Sequence, residues 1–146
     1  MMNNTAPTSS VFSLRNDPSV NGSGATYIAY CFAEISQFSQ FGRYIGNSSS
    51  DGPFIHTGFR PAYVLVKKES ESSGNWSVYD KARSPNNSGR IIFPNLTNAN
   101  GSTTLALDMY ANGFKLRTNS SNRNSNNENH IYYAFAEIPF KYARAR

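Results

Sequence analysis

Short apolar runs separated by polar turns dominate the chain, and within these runs large and small side chains alternate with the period of a β-strand. Two runs are near copies of each other: residues 28–35 read IAYCFAEI and residues 131–138 read IYYAFAEI. Alternate side chains of a strand point to opposite faces, so each run has one face of large residues and one of mostly small residues. The large faces consist of Ile28, Tyr30, Phe32 and Glu34 in the first copy, and of Ile131, Tyr133, Phe135 and Glu137 in the second. Because both faces are largely apolar, we predict two core strands, each covered on both sides.

The repeat extends upstream of both copies. Residues 12–15 read FSLR and residues 114–117 read FKLR, and polar connections of similar length follow each. The repeat therefore predicts two hairpin-like strand pairs within one pseudo-symmetric domain. Two copies are too few for a solenoid.

Further strands are predicted where apolar residues alternate with polar ones or where β-branched residues cluster. These lie at residues 11–15, 38–45, 53–56, 63–67, 75–80, 90–93, 103–109 and 114–118. Residues 75–80 form the return limb of a hairpin with residues 63–67, and Asn112-Gly113 is a tight-turn signal before the last run. About ten strands without helical periodicity predict an all-β fold, an antiparallel two-sheet β-sandwich of jelly-roll or lectin-like type. An up-and-down barrel is the alternative.

Length and composition support one domain and no exported or membrane-inserted form. The 146 residues fit a single core, which we place at residues 11–146 behind a flexible N-terminal arm, residues 1–10. No apolar run is long enough for a membrane helix, and the first residues lack the pattern of a signal peptide. Cys31 is the single cysteine, so no intrachain disulfide forms, and we expect it to be a small buried apolar residue.

The net charge of +5 does not indicate a nucleic-acid partner. Basic residues are dispersed except at Lys67-Lys68 and in residues 141–146, and no nucleic-acid-binding module is recognisable. We therefore expect no nucleic acid among the partners.

Several segments together resemble a domain of tailed bacteriophages that recurs at the ends of large tail-fibre-like virion proteins, often from marine or cyanobacterial phages. The segments are residues 27–34 (YIAYCFAE), 52–54 (GPF), 57–62 (TGFRPA), 74–76 (GNW), 112–115 (NGFK) and 135–146 (FAEIPFKYARAR). Ile138 departs from the pattern, which usually has Asn there.

The resemblance implies a phage protein on the virion surface, made in the host cytoplasm, with a lectin-like sandwich and a homo-oligomeric state, a trimer being expected. It supplies no catalytic residues. Because no coiled-coil heptads precede the domain, we favour a small attached protein, a capsid decoration or an accessory fibre subunit, over the tip of a tail fibre that recognises a host glycan.

Catalytic chemistry has little support in the residue types present. His56, His130 and Cys31 form no recognisable nucleophile, phosphate-loop or metal-ligand motif, so we expect neither an enzyme nor a cofactor or metal. The best enzymatic hypothesis is a glycosidase that uses Glu34 and Glu137 as a carboxylate pair. The structural alternative is that each Glu pairs with an Arg such as Arg15 or Arg117.

Ligand binding without catalysis is the better candidate chemistry. Trp76 and Tyr79 would supply an aromatic platform for a pyranose, beside the hydrogen-bonding groups of Asn75, Asp80 and Arg83. The alternative is that Trp76 lies in the core or in an interface.

Docking to another virion protein is the third candidate function. The basic tail offers Lys141, Tyr142, Arg144 and Arg146 to an acidic partner surface. An excess of aromatic residues around Phe38, Phe41 and Tyr44 is also compatible with an interface.

Overall fold

The computed structural model describes residues 5–70, 74–83, 88–97 and 101–138. The chain divides into two compact units, Met1–Phe32 and Ala33–Arg146. The strands lie in the second unit, and the prediction of one domain over residues 11–146 stays a prediction. The elements are α1 (Pro18–Asn21), β1 (Ser39–Ile45), β2 (Phe54–His56), β3 (Pro61–Lys68), β4 (Ser77–Asp80), β5 (Ser88–Ile91), β6 (Gly101–Tyr110), β7 (Gly113–Leu116), α2 (Ser121–Asn124) and β8 (Asn129–Ala136). Among the described residues, neither helix has the length and apolar character needed to cross a membrane.

The eight strands form two four-stranded sheets, with the orders β1-β8-β3-β4 and β2-β7-β6-β5. Every strand pair is antiparallel. The sheets approach at one corner, where Val78 in β4 exchanges two backbone hydrogen bonds of 2.9 and 3.0 Å with Ile92 after β5. The prediction of an antiparallel all-β sandwich is confirmed, whereas its jelly-roll connection stays a prediction.

The core lies between the two sheets. Phe114 and Leu116 of β7 are fully buried and face Val64 of β3 and Ala134 of β8, which are equally inaccessible. The ring of Phe114 meets the ring of Tyr132 edge to face, with centroids 5.4 Å apart. Alternate residues of each strand supply this layer because the side chains of a strand alternate between its two faces.

The second copy of the repeat is the central strand β8, as predicted. Its small face points into the core, where Ala134 is fully buried and Tyr132 is 5% exposed. Its large face lies on the outer surface of the sheet, half-buried, because neighbouring aromatic rings cover it. Phe41 of β1 contacts Tyr133 and Phe135 edge to face at 5.3 and 5.8 Å. These rings, with Tyr63 and Phe38, form an outer aromatic cluster.

The first copy of the repeat is not a core strand, and that prediction was wrong. Residues 25–34 belong to no strand, and Ile28 and Tyr30 are 79% and 80% exposed. Cys31 is exposed rather than buried. A strand is stabilised by the residues that pack on its faces and by the strands that pair with its edges. The place in the sheet that suits this sequence lies between β1 and β3, and β8 occupies it.

The predicted hairpin pairs of the repeat are also absent from the described residues. Residues 11–15 form no extended strand, and Val11 is 62% exposed. In the second copy, β7 and β8 lie in different sheets. The copies share sequence without sharing a supersecondary unit.

Predictions based on local turn chemistry were correct. β3 pairs with β4, and β6 pairs with β7 across Ala111-Asn112 so that Tyr110 lies opposite Gly113. At Gly113 an added Cβ would lie 2.2 Å from the carbonyl oxygen of Ile55, so the paired strand leaves room for hydrogen alone.

The loop after β1 is held by one buried amide. Asn124, at the end of α2, is fully buried. Its Nδ2 donates to Oδ1 of Asn47 at 3.0 Å and to the carbonyl oxygens of Ser49 and Thr118 at 2.8 Å each. Its Oδ1 accepts from the N–H of Asn47 at 2.8 Å. One side chain thus links α2 to two separate loops.

Candidate functional site

The residues predicted to bind a glycan lie along β4 and do not converge on one point. Asn75 and Trp76 precede the strand, and both are half-buried. The N–H of Trp76 donates to Oδ1 of Asn95 at 3.0 Å, and Nδ2 of Asn95 donates to Oδ1 of Asn75 at 3.0 Å. Asn95, which the sequence pattern did not single out, therefore fixes the segment that carries the tryptophan.

Tyr79 is unavailable to an external ligand because it is fully buried in the core. Its hydroxyl has no hydrogen-bond partner among the described residues, and burial raises the pKa of the phenol well above its usual range. Three consecutive residues of β4, Ser77 to Tyr79, are buried. Alternation would leave Val78 exposed, but Val78 is bridged to Ile92. Tyr79 is thus a core residue and not half of a platform.

Asp80 and Arg83 lie at the far end of the strand. Oδ1 of Asp80 accepts from the N–H of Ala82 at 2.8 Å, and the N–H of Arg83 donates to the carbonyl oxygen of Asp80 at 3.2 Å. Four residues of extended chain separate Asp80 from Trp76 by roughly 13 Å. What remains of the predicted site around Trp76 is the tryptophan with the amides of Asn75 and Asn95.

A second candidate site is a shallow pocket of about 400 Å³ at the start of β1. Such a volume is within the range of small-molecule sites. It is lined mainly by polar side chains, together with one buried aromatic residue. The lining includes Glu34, Gln37, Gln40, Thr57 and Phe59.

The pocket is shaped by two backbone positions with positive φ, Gln37 at 62° and Gly58 at 76°. The Oγ of Thr57 donates to the carbonyl oxygen of Phe59 at 2.6 Å. The Gln40 amide, in the orientation that satisfies both of its ends, donates to the carbonyl oxygens of His56 and Thr57 at 3.2 and 3.0 Å. Hydrogen bonds therefore fix both walls of the pocket.

Glu34 and Glu137 have different surroundings. Oε1 of Glu34 accepts from the N–H of Phe41 at 3.2 Å. Glu137 forms ion pairs with Arg60, at 3.3 Å, and with Lys81. The prediction that Glu137 is a structural ion-pair residue is thus supported, but with partners other than Arg117.

Arg117 belongs to a separate charged cluster on the other sheet. Its Nε donates to Oδ2 of Asp108 at 2.7 Å and its guanidinium also donates to the hydroxyl of Tyr110 at 2.9 Å. Asp51 joins the cluster through Arg117 at 3.3 Å and Lys115 at 2.6 Å. Donating hydrogen bonds to Asp108 and Tyr110 raises the pKa of Arg117, and the hydrogen bond from Lys115 lowers the pKa of Asp51. The five side chains contact one another as in a structural network, although the buried Oδ1 of Asp108 has no hydrogen-bond partner among the described residues.

The histidine of β8 is buried in the core. The ring of His130 stacks on Tyr44 with centroids 5.0 Å apart and planes 9° from parallel. Its Nδ1 lies 3.1 Å from the carbonyl oxygen of Glu128, and burial lowers its pKa, which favours the neutral ring. Tyr44, which the sequence placed in an exposed interface, is 7% exposed, and its hydroxyl donates to the carbonyl oxygen of Arg123 at 2.5 Å.

Among the residues placed by the structure, no three His, Cys, Asp or Glu side chains come together as a metal site. The predicted docking residues Lys141, Tyr142, Arg144 and Arg146 lie outside the described residues.

Comparison with known proteins gives one match. No curated protein and no solved structure matches the chain. A family model matches residues 1–139, which is nearly the whole chain. The chain belongs to the family described as a domain of unknown function, DUF7483.

Proposed function

We propose that the chain is a non-enzymatic structural protein on the surface of a phage particle, a capsid decoration or an accessory fibre subunit. The observation that carries the proposal is the concentration of exposed large hydrophobic residues before β1. Eight of the thirteen such residues in the described chain lie between positions 11 and 35. Such a concentration of exposed apolar side chains favours a protein contact. The resemblance of the sequence to virion-surface domains suggests which assembly provides that contact.

The charge distribution of the chain supports a particle partner rather than a nucleic acid. The basic residues 141–146 follow the sandwich and suit an acidic surface on a neighbouring virion protein. In the sandwich itself, Lys81, Lys115 and Arg117 are already paired with carboxylates. The basic tail is therefore the segment best suited to electrostatic docking.

The particle role is tested by labelling purified particles of the phage that encodes the chain. We expect an antibody to the sandwich to decorate the particles at regular positions, and removal of residues 141–146 to reduce incorporation several-fold. Labelling of the head would assign a capsid decoration, and labelling of the tail an accessory fibre subunit. A protein abundant in the lysate but absent from purified particles would refute the proposal.

A second candidate function is recognition of a host-surface glycan, as in a tail-fibre receptor-binding domain. The half-buried Trp76, held between the amides of Asn75 and Asn95, favours it, because an indole face beside amides suits the apolar and polar faces of a sugar.

On a glycan array, we expect Trp76→Ala to lose about fivefold to tenfold in affinity for any glycan that the wild type retains. Trp76→Phe is the matched control, since it keeps an aromatic face, and it should retain most of the binding. A glycan bound equally well by Trp76→Ala would exclude this site.

A further inference from the structure

We propose that the pocket at the start of β1 binds one neutral sugar ring, either a free sugar or the end residue of a glycan. The inference is independent of the particle role and of the glycan site at Trp76, because neither Trp76 nor the basic residues 141–146 line this pocket. It rests on a cavity with hydrogen-bonded walls, on the polar side chains along it, and on its single negative charge.

The first wall of the pocket is a tight turn between residues 35 and 39. The N–H groups of Phe38 and Ser39 both donate to the carbonyl oxygen of Ile35 at 2.9 Å. The Oγ of Ser39 donates to the carbonyl oxygen of Ala33 at 2.8 Å and accepts from the N–H of Ile35 at 3.3 Å. The backbone of the turn is therefore fixed by hydrogen bonds on both of its sides.

The opposite wall, residues 57–59, is fixed in the same way. The N–H groups of Thr57 and Gly58 both donate to the carbonyl oxygen of Asn112, at 2.9 and 3.3 Å. Gln40 of β1 joins the two walls, because its amide, in the orientation that satisfies both of its ends, donates to the carbonyl oxygen of Thr57 at 3.0 Å. A pocket whose walls are held before the ligand arrives binds a small molecule at a lower cost in conformational entropy.

Three side chains along the pocket offer polar groups to a ligand. Within the described part of the chain, the amide of Gln37 and the hydroxyl of Ser36 make no hydrogen bond. The Glu34 carboxylate uses one oxygen to accept from the N–H of Phe41 at 3.2 Å, which leaves the other oxygen for a ligand. An amide and a hydroxyl both donate and accept, and the carboxylate oxygen accepts. The hydroxyl groups of a sugar ring match this mixture of donors and acceptors, and the buried Phe59 adds apolar surface for the C–H groups of the ring.

Gln37 has a backbone conformation that favours glycine. Its φ is 62°, in the left-handed region, where a residue with a Cβ is strained. Residues held in such conformations cluster at ligand sites, where the side chain is needed at that place. The amide of Gln37 is therefore assigned the direct contact with the ligand.

The charge of the pocket selects among sugars. Glu34 is the one charged side chain among the described residues that line it, and Glu34 makes no ion pair with any of the described residues. The chain carries a net charge of +5, yet this pocket is negative. A carboxylate accepts strong hydrogen bonds from sugar hydroxyls and repels a second carboxylate. The ligand is therefore a neutral sugar and not an acidic one.

Chemical-shift mapping of the backbone amides tests the site on the intact chain. The probes are the methyl glycosides of glucose, galactose, mannose and N-acetylglucosamine, and we expect at least one to shift the amide resonances of residues 34–40 and 57–59. N-acetylneuraminic acid, which carries a carboxylate, should not shift them. A panel without shifts at the pocket would overturn the proposal, as would shifts confined to the surroundings of Trp76.

Comparison of the bound methyl glycoside with the corresponding free sugar identifies the source of the ligand. Equal affinities assign the end residue of a glycan, because the pocket then tolerates a substituent on the anomeric oxygen. Weaker binding of the methyl glycoside assigns the free sugar.

Gln37→Gly separates binding from folding, because it removes the amide and also relieves the backbone strain. We expect the affinity for the bound sugar to fall about threefold to tenfold, the effect of one lost hydrogen bond, while the midpoint of urea unfolding stays close to that of the wild type. Ser48→Gly is the matched control, since Ser48 is exposed outside the pocket with a φ of 52°, and it should leave the affinity unchanged. Undiminished binding by Gln37→Gly, or an equal loss in Ser48→Gly, would overturn the proposal.

Glu34→Gln tests the charge, because it keeps an oxygen that accepts from the N–H of Phe41. We expect about a tenfold loss of affinity for the neutral sugar and a weaker exclusion of N-acetylneuraminic acid. An unchanged affinity together with an unchanged exclusion would contradict the selection by charge. None of these measurements bears on incorporation into particles, which the labelling experiment decides separately.

Discussion

Replacing Phe114 with Ala should lower the free energy of unfolding by about 3–5 kcal/mol. The side chain is fully buried, and its ring contacts that of Tyr132 in the facing sheet at 5.4 Å. The substitution removes apolar burial and leaves a cavity between the two sheets. The walls of the cavity are rigid, because β7 and β8 are each hydrogen-bonded to two neighbouring strands. Urea unfolding followed by circular dichroism measures the change as a lower midpoint.

Phe54→Ala is the matched control, on β2 in the same sheet. Phe54 is 46% exposed, and its ring contacts Tyr110 at the surface at 5.9 Å. We expect a loss of about 1 kcal/mol or less, because the truncated ring leaves a site that water can fill. Equal losses for the two variants would show that the cavity between the sheets is not what stabilises the sandwich.

The strands that were predictable from sequence are those defined by local patterns. β3 is a β-branched run, and the polar break after it leads back into β4. The Asn112-Gly113 turn likewise specifies the hairpin of β6 and β7. In both cases the hydrogen-bond partner is close in sequence, so that turn chemistry and alternation decide the outcome.

The repeated octapeptide shows where local patterns fail. Residues 131–138 and 28–35 have nearly the same sequence, yet the first supplies the centre of a sheet and the second is exposed. What differs is the surroundings: β8 lies between β1 and β3, with the second sheet beneath its small face. Strand formation depends on such neighbours more than on the intrinsic β-propensity of the residues, and a single sequence does not show which segments become neighbours.

The candidate sites were only partly predictable for the same reason. Trp76 and Asn75 are adjacent in sequence and were identified, but Asn95 reaches them from a distant loop. Tyr79 was misplaced because its face of β4 points into the core, opposite to the face that continues from Trp76. The pocket at the start of β1 joins residues 34–40 to residues 57–59, and no sequence motif relates these two segments.

Asn124→Asp should destabilise the sandwich by about 3–5 kcal/mol at neutral pH, which is the cost of an uncompensated buried charge. The Nδ2 of Asn124 faces three oxygen atoms, from Asn47, Ser49 and Thr118, at 2.8 to 3.0 Å. A carboxylate oxygen in its place has no proton to donate, and all of these contacts become repulsive. These acceptors favour the protonated carboxyl, so the pKa of the new Asp is higher in the folded state than in the unfolded state. The loss of stability should therefore shrink as the pH is lowered toward the unfolded-state pKa.

Asn47→Asp makes the same chemical change on the other side of the same contact. Oδ1 of Asn47 accepts from Nδ2 of Asn124 and from the N–H of Ser49, both at 3.0 Å, and a carboxylate preserves both bonds. Asn47 is exposed and loses only its donation to the carbonyl oxygen of Asp51 at 3.1 Å. We therefore expect a loss of about 1 kcal/mol or less, measured by urea unfolding at several pH values. Similar losses for both variants, or a loss in Asn124→Asp that does not vary with pH, would contradict the assignment of Asn124 as the buried donor that joins α2 to the loops.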